Sequence, residues 1–289
     1  MAGAQFTVGL GQLPGLVEHR AASVFQRPAA TLESLPRIPR VHAVSIVAAY
    51  RFVELDDCAA LRDTLLRRAQ QAALKGTLLL APEGINFNLA GAPLALQRWL
   101  DELATDARFE GLALKRHSAS ALPFKRLLVK VKREIIRMNE NGVRPQAGRA
   151  PAVAGRTLAR WLAAGHCDAG RPVLLLHTRN GFEVDAGSFD AAVDWRLAKF
   201  SDFPAALQAH AGDLAGKTVV TYCTGGIRCE KAALWMQQAG VQNVLQLDGG
   251  ILRYFEDVQG APHWHGRCFV FDGRVALGTQ LESTESQPA

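Results

Sequence analysis

The 289 residues, 48% hydrophobic and 21% charged, leave room for two ordinary domain cores and have the composition of a soluble globular chain. No run approaches the roughly 18 apolar residues of a membrane span, and residues 1–40 lack the basic start and apolar stretch of a secretory signal, so the chain reads as cytoplasmic with no membrane partner. The net charge of +6 is uneven: residues 1–150 carry 21 Lys and Arg against 13 Asp and Glu, the remainder 12 against 14. That asymmetry predicts two domains, the first of them facing an anionic partner.

Residues 1–40 mix Ala, Gly, Pro, Ser and Arg without sustained periodicity and read as a mobile N-terminal extension. Residues 44–50 are a β-rich apolar run and predict a buried strand. Asp56 or Asp57 is placed to cap the helix that follows, which runs to about Leu74. Residues 76–81 predict a second strand, turned by Pro82-Glu83-Gly84-Ile85-Asn86 into residues 87–90. A second helix spans about 93–103, and residues 112–115 and 126–138 supply further strands. The order β-α-β-β-α-β predicts a small ferredoxin-like (acylphosphatase-like) α+β domain over residues 41–138. The Asn, Gly, Pro, Arg and Ala of residues 139–155 read as a linker.

Residues 156–276 alternate apolar strands with amphipathic helices, which predicts an α/β domain on a parallel sheet covered on both faces. Helices are expected at 156–164, 203–210 and 230–238, with another opened by Gly249-Gly250-Ile251; strands are expected at 173–176, 218–222 and 244–247. A long polar stretch separates 176 from 203, and a polar tail occupies 277–289.

Five widely spaced cysteines, Cys58, Cys167, Cys223, Cys229 and Cys268, make a poor disulfide framework. Cys223 stands apart because a β-branched strand, residues 218–222, ends directly on it. The loop Cys223-Thr224-Gly225-Gly226-Ile227-Arg228 then leads through Cys229 into a helix. Strand ends of this kind carry the sites of open α/β folds. Two glycines let backbone N–H groups converge, and a helix N-terminus adds positive potential, so a thiolate, a persulfide or a neighbouring oxyanion is favoured there. Arg228 either holds the loop or meets an anionic substrate. A tyrosine-phosphatase loop uses the same physics but has its Arg six residues after the Cys; here the separation is five, which disfavours phosphate.

Tyr222-Cys223-Thr224-Gly225-Gly226-Ile227-Arg228-Cys229-Glu230-Lys231-Ala232 resembles the active-site segment of the tRNA uridine hydroxylase family, whose members carry a rhodanese domain. Asp248-Gly249-Gly250-Ile251, Thr178-Arg179-Asn180 with Glu183-Val184, Pro82-Glu83-Gly84-Ile85-Asn86 and residues 124–132 extend the match in the same order, over about Val44 to Val275. The resemblance implies a rhodanese-like second domain and oxygen-dependent 5-hydroxylation of the wobble uridine of tRNA. It also implies Cys223 as the essential, persulfide-forming cysteine, molecular oxygen as co-substrate and prephenate as a required small metabolite; no bound cofactor is evident from the residues. Two departures stand out: His177 occupies a position where the family usually has Asp, and no cysteine-rich segment follows Cys268-Phe269-Val270-Phe271-Asp272.

With the charge asymmetry, the resemblance makes Lys125, Arg126, Lys130, Lys132 and Arg133 candidates for phosphate contacts to the anticodon region of tRNA. By themselves these lysines would read as a guarded sheet edge. Cys229 is a candidate resolving thiol or a packing residue. His263, His265 and Cys268 lack zinc-site spacing and are read as packing, so no metal is expected. Two alternatives remain: a thiosulfate-type sulfurtransferase using a Cys223 persulfide, and a tRNA-binding module with a decayed site, the latter motivated by His177.

Overall fold

The structure, a computed structural model, describes residues 44–140 and 142–283; the expected extension at 1–40 and residues 284–289 of the tail lie outside them. The first half contains β1 (Val44–Phe52), α1 (Cys58–Gln71), β2 (Lys75–Ala81), β3 (Gly84–Gly91), α2 (Pro93–Ala104), β4 (Lys115–Ala119) and β5 (Leu127–Val131). Its sheet has the order β4-β1-β3-β2-β5, antiparallel except for β5, which runs parallel to β2 as an edge strand.

The pairing register sorts the side chains onto two faces. Val47, Ala49, Leu78, Leu80, Phe87 and Leu89 share a core with Leu65 of α1 and Leu96, Trp99 and Leu100 of α2. The alternate residues form rows on the other face: Leu128, Thr77, Asn88, Ala48 and Lys115 in one, Lys130, Leu79, Asn86 and Tyr50 in the next. The second half of the chain covers this face.

Several local expectations change. Asp57 precedes α1 but makes no side-chain cap; its carboxylate accepts from Arg108 at 2.6 and 3.1 Å instead. The helix stops at Gln71 rather than Leu74, with Ala73 turning to φ +52°. The fourth strand lies at 115–119, not 112–115, and β5 ends at Val131 instead of continuing to Met138. Beyond it, carboxylates replace a strand partner: Glu83 accepts the Ile135 N–H at 2.7 Å, and Glu134 accepts those of Met138 and Asn139, each at 2.9 Å.

The second half runs β6 (Ala152–Val153), α3 (Gly155–Ala164), β7 (Val173–His177), α4 (Gly181–Ala186), β8 (Gly187–Phe189), α5 (Phe203–His210), β9 (Thr218–Tyr222), α6 (Ile227–Gln238), β10 (Val244–Leu247), α7 (Gly250–Asp257), β11 (Trp264–Gly266), β12 (Cys268–Phe269) and β13 (Ala276–Leu277). A parallel sheet, β6-β10-β9-β7, is buried on both faces. Leu175, Val220, Tyr222 and Leu247 pack with α3 and α7, while Leu174, Leu176, Val219 and Val244 pack with α5 and α6.

Three expectations are corrected here. The segment read as a linker supplies β6, because Ala152 and Val153 find open partners on β10, and Val143 and Ala150 are buried. The polar stretch before α5 contains α4 and β8, whose short lengths leave no periodicity to detect. Leu277, placed in the polar tail, is buried in β13.

A buried cation ties the two halves together. Lys231 of α6, 2% exposed, contacts Glu83 at 2.7 Å and Glu134 at 2.6 Å and donates to the Ile136 carbonyl at 3.0 Å.

Candidate active site

Cys223 follows β9 directly and is itself fully buried, at the wall of a cavity that opens to solvent. Its Sγ accepts the Gly226 N–H at 3.1 Å. Gly226 adopts φ +97° to cap α6, a conformation that side chains resist. The loop is pinned from outside by α7: the Ile251 N–H donates to the Cys223 carbonyl at 2.9 Å and the Leu252 N–H to that of Thr224 at 3.2 Å. Gly250, at φ +71°, sits so close that a Cβ there would lie 2.4 Å from the Cys223 carbonyl oxygen, which gives the Asp248-Gly249-Gly250-Ile251 motif its physical reason.

Burial opposes ionisation of Cys223, yet its pKa lies well below the ordinary thiol value. Cys229 hydrogen-bonds to its sulfur, the Arg228 cation is near, and the N–H groups of Cys229 and Arg228 face it. Cys229 moves the opposite way, raised by burial and by donating to Cys223; its sulfur also lies 3.4 Å from Thr178 Oγ1. One thiolate and one thiol is the favoured state of this pair.

Arg228 holds the loop. Its guanidinium makes a bidentate pair with fully buried Glu183, at 2.6 and 2.8 Å, and Glu183 also accepts the Asn180 N–H at 2.9 Å at the start of α4. Glu183 therefore joins the site through Arg228, a role the sequence pattern alone does not disclose.

His177 lies behind the loop. Its Nδ1 faces the Arg179 N–H at 2.9 Å and its Nε2 faces Arg179 Nε at 3.1 Å. Burial first, then the Arg179 and Arg228 charges, push its pKa down to about 2, so it is neutral and can accept at only one nitrogen. Arg179 is fully buried, donates to the Gly187 carbonyl, stacks on Trp264 at 5.5 Å and leaves Nη1 unpaired. A carboxylate at 177 would accept both Arg179 bonds.

The cavity, about 590 Å³, has the reactive loop on one side and the open face of the first sheet on the other. Lys115 crosses between them, donating from Nζ to the Gly225 carbonyl at 2.6 Å and lying 5.4 Å from the centre of the Tyr50 ring. Tyr50 in turn donates to Glu230 at 2.9 Å. Arg137, Lys199 and the exposed Phe271 also line the cavity. Sequence reasoning missed Tyr50, Asn88, Lys115 and His117; the two-residue spacing of Lys115 and His117 on β4 was visible, but the face they share with Tyr50 of β1 and Asn88 of β3 depends on strand register.

Of the candidate loop residues, the structure gathers Cys223, Thr224, Gly225, Ile227 and Arg228 at the cavity and buries Cys229 behind them. Lys125, Arg126, Lys130, Lys132 and Arg133 are all exposed on or beside β5, outside the cavity lining. Among the described residues no cluster of three His, Cys, Asp or Glu side chains has metal-binding geometry. His263 and His265 both face Asp190. Cys58 is buried at the start of α1, and Cys167 lies 3.2 Å from Thr218 Oγ1.

A cysteine loop between a parallel strand and a helix, on a sheet covered on both sides, defines the second half as a rhodanese-type domain. Residues 158–257 match the family model described as "Rhodanese-like domain", and residues 44–135 match "UPF0176 acylphosphatase like domain". A protein of Variovorax paradoxus (strain S110) is 59% identical over 237 residues, covering 82% of this chain and 90% of the relative. One from Delftia acidovorans is 57% identical, covering 82% and 90%, and one from Bordetella petrii 56%, covering 83% and 94%. Each is named tRNA uridine(34) hydroxylase. The chain belongs to the tRNA uridine(34) hydroxylase family. No helix among the described residues is long and apolar enough to cross a membrane.

Proposed function

We propose that this protein hydroxylates uridine 34 of tRNA, the wobble nucleoside, at C5, with Cys223 as the essential reactive group. The observation that supports this best is a cysteine at a strand end, its sulfur accepting a loop N–H at 3.1 Å, on a two-walled cavity of about 590 Å³. That space accommodates a base turned out of an unpaired loop, the form in which enzymes act on nucleobases. The reaction is that of a monooxygenase-like oxidoreductase working in the cytoplasm, with molecular oxygen as co-substrate: one oxygen atom enters the C5 hydroxyl, and the other leaves as water with two electrons and two protons from an external reductant. Prephenate, the metabolite implied by resemblance, would meet the cationic Arg137 and Lys199 on the cavity lining. Lys125, Arg126, Lys130, Lys132 and Arg133 would contact phosphates of the anticodon arm and position the RNA without reading its sequence.

A second reading, sulfur transfer from a thiosulfate-type donor, is favoured by the same loop amides, because they would equally hold a Cys223 persulfide. Nucleoside mass spectrometry separates the two, using tRNA from a deletion strain complemented with wild type or Cys223→Ser. Loss of 5-hydroxyuridine derivatives on deletion, with return only for wild type, is expected. Unchanged nucleosides in all strains would remove the hydroxylase reading and leave sulfur transfer to be assayed. Return with Cys223→Ser would reduce the rhodanese loop to a binding element.

A further inference from the structure

Two buried side-chain atoms on the cavity wall have no hydrogen-bonding partner, Asn88 Oδ1 and His117 Nε2. Buried polar atoms are nearly always satisfied, so unpaired ones on residues that line a cavity point to where a ligand's polar groups go. Both belong to the open face of the first sheet. Asn88 shares a row with Thr77, Ala48 and Lys115, and His117 lies two residues beyond Lys115 on β4. The strand between them, β1, contributes Ala48 to the cavity lining, a side chain small enough to leave a hollow. Strand spacing of about 4.8 Å and a rise of about 3.3 Å per residue put the two backbone positions on the order of 12 Å apart on one face of the sheet.

Lys115 joins this wall to the reactive loop through Gly225, and Cys223 lines the same cavity as Asn88 and His117. His117 is neutral at physiological pH, held down to about 4 by burial and by Arg274, with Lys115 adding to this and Asp272 opposing it. It thus offers one donor and one acceptor.

We propose that Asn88 and His117 form a base subsite that grips the polar edge of uracil, the N3–H and its flanking carbonyls, and so turns the C5–C6 edge towards the Cys223 loop. This deepens the uridine-hydroxylase reading and rests on it. The unpaired Asn88 Oδ1 calls for a donor. Uracil N3–H supplies one, whereas the N3 of cytosine presents a lone pair, so the subsite discriminates between the two pyrimidines.

The test uses the full chain and two synthetic anticodon stem-loops that differ only in U34 or C34, with binding followed by fluorescence anisotropy at fixed salt. Wild type is expected to prefer U34 by on the order of tenfold, the scale of one or two neutral hydrogen bonds. Asn88→Ala should bring U34 affinity down to the C34 level without changing C34 affinity or the alkylation rate of Cys223. A merely structural Asn88 would move both of those. Should Asn88→Ala melt early, His117→Ala on edge strand β4 asks the same question, with His117→Gln as the conservative variant expected to retain part of the preference. Equal wild-type affinity for the two RNAs, or a U34 preference that survives both alanine variants, would overturn the subsite while leaving the tRNA reading standing. Failure of wild type to bind either stem-loop would overturn both.

Discussion

In the parallel sheet, successive residues of a strand enter two hydrophobic layers, Leu175 on one side and Leu174 and Leu176 on the other. In the five-stranded sheet only one face is buried in this way; the other carries Tyr50, Asn86, Asn88 and Lys115 and forms a cavity wall. The same secondary structure thus serves the site in two ways. A sheet covered on both sides has only its strand ends to offer, which is where Cys223 sits. A sheet packed into a hydrophobic core on one side only offers a whole surface to the cavity, and the chemistry of Tyr50, Asn86, Asn88 and Lys115 is spread over three strands.

Breaking the strand-end site is expected to have the largest effects. Cys223→Ser should abolish tRNA hydroxylation with little change in melting temperature, measured by nucleoside mass spectrometry and thermal unfolding. Glu183→Gln breaks a fully buried bidentate pair and leaves the Arg228 charge poorly compensated, so urea unfolding should show a loss of about 3–5 kcal/mol. Alkylation of Cys223 should also slow in that variant, because the loop loses its brace.

At the junction of the two sheets, Lys231→Met should cost about 3 kcal/mol at pH 7 by leaving Glu83 and Glu134 without their shared cation. Burial already raises the Glu83 pKa and Lys231 offsets part of that rise, so the variant's Glu83 moves higher still. A carboxyl whose folded pKa exceeds its unfolded value stabilises below the unfolded value, about 4.3, and loses that contribution as pH rises through the folded one. The deficit of Lys231→Met should therefore shrink on going from pH 7 to pH 4.

His177 gives a smaller effect of the opposite sense. Its folded pKa near 2 lies below the ordinary value of about 6.5, so its contribution is complete above 6.5 and is lost as pH falls towards 2. At pH 5 that loss amounts to about 2 kcal/mol at 1.4 kcal/mol per unit. His177→Asp, which can accept both Arg179 bonds, should lose less stability between pH 7 and pH 5 in paired melts. The smallest effects are expected on the exposed edge: Lys130→Gln and Lys132→Gln should change stability by less than about 0.5 kcal/mol. Each should lower the salt dependence of RNA binding by about one unit of slope.

This division explains which parts of the molecule were legible in the sequence. The Cys223 loop is local: strand, glycines and helix follow one another between Thr218 and Gln238, and the residue pattern alone points to them. The βαββαβ order was readable for the same reason, since hydrophobic periodicity is a short-range signal. The cavity wall was not readable, because Asn88 and Lys115 become neighbours of Ala48 only through pairings between distant strands. Glu183 and Glu134 were hidden differently. An acidic residue in a polar stretch looks solvated until a buried Arg228 or Lys231 is brought to it from the other side of the chain. Strand β6 escaped because two residues carry no period.

Lys231 has a consequence for how the protein comes apart. Its ammonium is anchored in one half and its two carboxylates in the other, so separating the halves strands a buried cation on one surface and two acids on the opposing one. With the Lys115–Gly225 bond spanning the same boundary, partial opening is penalised at two places at once. Calorimetry of the intact chain should accordingly show one cooperative transition, and a cut between the halves should yield two aggregation-prone fragments in place of two independent modules.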